Sequence, residues 1–139
     1  MTTVMALDLG TTKCGVALGY TVNNQLWSVR PLLIIPAGTE VAWLTQLITK
    51  YGVKEVVMGC SEFLKPIVYS TALNLQCSMP WLSLFTVSEY YTSQINNNDA
   101  EAACSLLKAR YQEDAVAIKP IPAEFLQEDL TPSDLEDWI

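Results

Sequence analysis

With 139 residues, half of them apolar, the chain is the size of one domain that can bury a core without disulfide or metal staples. Its formal charge is −7, yet six of its fifteen acids fall in residues 120–139, a stretch with no base. The remaining body is close to neutral, which excludes a broadly polycationic nucleic-acid binder and leaves any such contact to locally clustered bases.

No apolar run approaches the ~18–20 residues of a membrane span, so no membrane association is expected. Residues 1–9 carry neither a basic leader region nor a cleavage signal, and a cytoplasmic location is expected. Cys14, Cys60, Cys77 and Cys104 are widely spaced in apolar stretches, and the chain has no histidine. Zinc is therefore not expected, and the cysteines read as buried, reduced thiols.

In chain order, residues 3–9 read as a buried strand and 14–20 as its antiparallel partner. Asn23 and Asn24 supply a turn, because asparagine tolerates positive φ. Residues 26–35 make a third strand, stopped by Pro36 and Gly38. A helix is predicted over 39–51, with Thr39 as its N-cap and Gly52 closing it. Its apolar stripe is Val41, Leu44, Leu47, Ile48 and Tyr51. Residues 53–59 form a strand buried on both faces, 66–76 a second helix, 81–87 another strand and 99–111 a last helix. Trp27, Trp43 and Trp81 each lie in an apolar run and are expected in the core.

The order β-β-β-α-β-α-β-α predicts an α/β fold: an antiparallel meander, then parallel strands, in one five-stranded mixed sheet flanked by helices. Residues 1–119 are expected to form this domain. Residues 120–139 are expected to form an acidic, flexible tail with three prolines and little periodicity.

The chemistry starts at Asp8. An acid interrupting an apolar strand costs desolvation unless something partners it, and Gly10-Thr11-Thr12 follows at once. Such a turn can receive a phosphate on backbone amides, and such an acid can hold a divalent cation. Other acids fall at comparable element ends: Glu62 and Glu89 after later strands, and Asp99 at the start of the last helix. Two-metal phosphodiester hydrolysis needs several acids converging from separate elements, and this distribution meets that need. Each has a plainer reading too. Asp8 could serve turn amides, Asp99 could cap its helix, and Glu89 could be a solvated strand end.

Residues 8–18, Asp-Leu-Gly-Thr-Thr-Lys-Cys-Gly-Val-Ala-Leu, resemble the opening motif of the YqgF/RuvX family, Holliday-junction-resolvase-like members of the RNase H superfamily. Val56-Val57-Met58-Gly59 is similar to that family's strand ending in glycine. Thr86 to Ser93 resembles its Asp-Glu-Arg-Leu-Thr/Ser-Thr segment, and residues 99–111 resemble its last helix. The resemblance implies an RNase H-like nuclease with Asp8, Glu89 and Asp99 as catalytic acids holding Mg²⁺ or Mn²⁺, and Glu62 as an additional candidate. It also implies branched DNA or structured RNA as substrate, and a homodimer, since resolution of a junction takes two sites.

Thr11, Thr12, Lys13 and Lys65 are phosphate-contact candidates, with Lys108 and Arg110 behind them. Ser88 and Tyr90 depart from the family's Asp and Arg around Glu89, Asn96 stands where RuvC has a second acid, and the segment between Glu89 and Asp99 is short. The alternative is therefore a catalytically weakened binding module. It would recruit a protein partner through a tail whose Asp134, Glu136 and Asp137 steer and whose Trp138 and Ile139 fill a pocket. The opening motif also resembles the phosphate loop of actin-like ATPases, but those clamp a nucleotide between two lobes and this length supplies one.

Overall fold

The first two strands form because they are almost wholly apolar and joined by a turn only glycine can make. A computed structural model describes residues 1–61, 63–88, 99–111 and 118–120. In it β1 (Thr2–Leu9) pairs antiparallel with β2 (Lys13–Val22) over its full length. At Gly10 an added Cβ would stand 2.9 Å from the Lys13 carbonyl oxygen, so no larger residue fits this turn unchanged. Asn23 and Asn24 adopt φ of 51° and 65° and lead into β3 (Gln25–Pro36), as their tolerance of positive φ predicts.

The rest follows the expected alternation. Helix α1 (Glu40–Tyr51) ends on Gly52 in the left-handed conformation. Strand β4 (Val53–Cys60), helix α2 (Lys65–Ser78) with proline in its first turn, strand β5 (Ser83–Ser88) and helix α3 (Asp99–Tyr111) come next. Thr39 is not a side-chain cap; its hydroxyl donates to the Pro36 carbonyl at 2.6 Å instead.

The sheet order is β3-β2-β1, antiparallel, then β1-β4-β5, parallel. This is the α/β mixed sheet that the element order predicts. A short sixth strand, β6 (Ile118–Pro120), adds antiparallel to β5 and carries the sheet just past the expected domain end at residue 119.

Alternation along β1 divides the core into two layers. Met5, Leu7 and Leu9 face Leu44 and Ile48 of α1 and Val68, Ala72 and Leu75 of α2. Val4 and Ala6 face Ala103, Leu106 and Leu107 of α3. Each fully buried leucine contributes roughly 1.5–3 kcal/mol. Small residues bring α3 close to the sheet: a Cβ at Gly19 would meet Leu107 Cδ1 at 3.1 Å.

The tryptophans correct the expectation for the core. Trp27, Trp43 and Trp81 are 72%, 46% and 54% exposed. Trp27 is the extra residue of a β-bulge on the edge strand, where Tyr20 pairs with Ser28 but Thr21 with Leu26. Trp43 lies beside the buried Leu44 but off the stripe, and Trp81 stands in the turn before β5 with the Lys54 ammonium 5.4 Å from its ring centre. An apolar neighbourhood in sequence did not decide which face these rings take. The thiols need a smaller correction: Cys14 and Cys104 are buried and Cys60 half-buried, but Cys77 is exposed.

Candidate functional site at the strand ends

The site grows from the carboxyl ends of three neighbouring strands. Leu7, Met58 and Thr86 share one row across β1, β4 and β5, and Asp8 stands one step beyond it, opposite Gly15. Cys60 and Ser88 close the β4–β5 pairing at the same edge. Asp8 is half-buried and continues the Val4-Ala6 face, which is the face that carries α3. Its carboxylate thus leaves the sheet where the apolar layer ends.

The direction of α3 follows from its last turn. The Tyr111 hydroxyl donates to Glu55 Oε1 at 3.0 Å, and Arg110 Nη2 lies 3.6 Å from the same oxygen. Glu55 pairs with Val4, near the start of β1, and Leu107 packs beside Gly19, which pairs with Val4 from the other side. The last turns of α3 therefore lie over the sheet at the level of Val4, four residues along β1 from Asp8.

Other expected residues divide clearly. Thr11 and Thr12 lie exposed in the β1–β2 turn, where the Thr12 carbonyl accepts from the Ala37 N–H at 3.0 Å. Lys13 is the exposed first residue of β2, and Lys65 opens α2 in the opposite helix layer. Lys108 and Arg110 sit at the far end of α3 from Asp8, which removes them from this site. Arg110 is instead committed to Glu55 and to the rings of Phe85 and Tyr111, 4.4 and 4.9 Å from their centres. Glu62, Glu89 and the tail residues Asp134, Glu136, Asp137, Trp138 and Ile139 lie outside the described residues. Among the described residues no three histidines, cysteines or acids gather to hold a metal.

Burial, and then the charge of Glu55, raise the Tyr111 hydroxyl above its ordinary pKa. Cys104 is also raised, by burial first, with Lys108 opposing. Both groups belong to the packing of α3 rather than to the strand-end edge.

On the other face a cleft of about 470 Å³ opens between the β1–β2 turn and the first turns of α1 and α2. Glu40 and Thr71 line it, and sequence reading passed over both. An acid in a helix's first turn and one threonine within an apolar helix carry no signal of their own; only tertiary contact brings them to one wall. No family model matches the chain, and no curated protein matches it as a relative.

Proposed function

We propose that this protein is a divalent-metal-dependent nuclease that hydrolyses phosphodiester bonds in branched DNA, with structured RNA such as pre-ribosomal RNA as the second substrate class. The observation that carries this reading is Asp8, an acid at the end of a central buried strand, flush with the ends of β4 and β5 and on the face that carries α3. In the same reading Glu89, directly after β5, and Asp99, opening α3, complete the donor set. Carboxylate oxygens suit Mg²⁺ or Mn²⁺, and such ions when bound supply water activation and charge neutralisation at the scissile phosphate.

The chain's own residues then have separable tasks. Asp8 holds its oxygens at a fixed height because two neighbouring strands clamp β1 on both sides. The Gly10-Thr11-Thr12 turn and Lys13 offer backbone and side-chain donors to a phosphate, and Lys65 offers a further cation from the start of α2. A homodimer would bring two such edges to one junction.

The competing reading is a weakened binding module that holds a partner through its acidic tail. It is favoured by the Ser88 and Tyr90 that flank Glu89 where the resembled motif has an acid and an arginine. One assay separates the two. Labelled four-way junction, duplex and structured RNA are incubated with Mg²⁺, Mn²⁺ or EDTA, beside Asp8→Asn. Cutting that needs metal and drops at least 100-fold in the variant supports the nuclease. Binding with no cutting under any metal overturns it in favour of the module.

A further inference from the structure

We infer that the cleft between the β1–β2 turn, α1 and α2 is a binding site for a small organic cation, an ammonium or guanidinium carried on a short apolar stem. Its volume, about 470 Å³, falls in the range of small-molecule pockets. Ala37, Val41, Pro66 and Ile67 give it apolar walls.

Two polar groups stand out against these walls. Glu40 is only 8% exposed. Its Oε2 accepts the Gly38 N–H at 2.7 Å, the one hydrogen bond it makes among the described residues. Among the described residues no lysine or arginine lines the cleft. Its place in the first turn of α1 eases the cost of burying a carboxylate but leaves the second oxygen without a donor.

Thr71 is 7% exposed and also lines the cleft. Its hydroxyl makes no hydrogen bond among the described residues. Thr45 and Thr49 of α1, by contrast, return their hydroxyls to the carbonyls four residues earlier, at 2.7 and 2.8 Å. The residue is nine-tenths buried, and a group seated in the cleft would meet its hydroxyl on the wall. One acid among apolar and uncharged polar side chains (Thr11, Ser70, Thr71 and Asn74), with no base among the described lining residues, suits a ligand that brings positive charge and N–H donors. An anion would meet Glu40 and be repelled.

The cleft shares Gly10 and Thr11 with the turn that the proposed function gives to phosphate. Its acid, Glu40, however, belongs to the α1 face and Asp8 to the α3 face, so probes of opposite charge separate the two readings. The test is titration of the ¹⁵N-labelled protein with putrescine and with agmatine, and separately with inorganic phosphate and AMP. Saturable shifts centred on Gly38, Glu40 and Thr71 with the cations alone are expected. Glu40→Gln, which keeps the acceptor for Gly38, should weaken binding at least tenfold, and Thr71→Val severalfold. Thr71→Val should also leave the melting temperature unchanged or raised. The inference is overturned if phosphate or AMP moves these amides and the cations do not, or if no probe moves them. Equal binding by Glu40→Gln overturns it too. So does a marked loss of stability in Thr71→Val, since that would mean the hydroxyl already has an internal partner.

Discussion

At the scale of single residues, the group with the clearest consequence outside the site is Tyr111. Its hydroxyl donates to Glu55 at 3.0 Å, and its pKa is raised above the ordinary 10.0. A tyrosine raised on folding contributes stability that is fully present below its unfolded pKa. Above that value the unfolded chain loses a proton that the folded chain keeps, so stability falls as pH rises beyond about 10. Urea unfolding at pH 8 and at pH 10.5 should show this loss in the native protein and a smaller one in Tyr111→Phe. At pH 8 the substitution should cost about 1–2 kcal/mol, since it removes a hydrogen bond to a charged acceptor. Glu55 keeps Arg110 at 3.6 Å in that variant, so the fold should survive. Of the candidate acids, Asp8 was legible at this scale because a lone charge inside an apolar strand needs a reason. Glu40 was not, because a first-turn acid in a helix needs none.

At the scale of elements, α3 joins the candidate edge to the core. Its alanines let it approach the sheet, and Leu107 fills the contact beside Gly19. Leu107→Ala should therefore destabilise the protein by roughly 2–4 kcal/mol, whereas the exposed Lys108→Ala should stay within about 0.5 kcal/mol. Chemical denaturation of both variants measures the difference. Equal effects would mean that α3 does not rest on the sheet as described. The strands, helices and turns were readable because each has a strong local signature: paired asparagines, a terminal glycine, apolar spacing of two or of three to four. The tryptophans were misread at this same scale. Ring exposure depends on a bulge at Trp27 and on a few tens of degrees around α1 at Trp43, and an apolar run in sequence reports neither.

At the scale of the whole molecule, charge is divided between a nearly neutral body and an acidic end. Residues 121–139 hold six acids and no base, so they account for six of the seven net negative charges. If the body contacts nucleic acid at all, removing them should tighten that binding and reduce its sensitivity to repulsion at low salt. Fluorescence anisotropy with a labelled junction at 50 and 200 mM salt, for full-length and shortened chains, tests this. Unchanged affinity at both salts would count against electrostatic interference by the tail.

Order along the chain was enough to determine the architecture, because local patterning selects each element and the connection rules leave few ways to join them. It was also enough to mark Asp8 and the glycine turn after it. The course of α3, which takes Lys108 and Arg110 away from Asp8, was decided only in three dimensions. So was the cleft where Glu40 meets Thr71. In both cases the partners are distant in sequence, and their meeting depends on packing depth and register that no local pattern encodes.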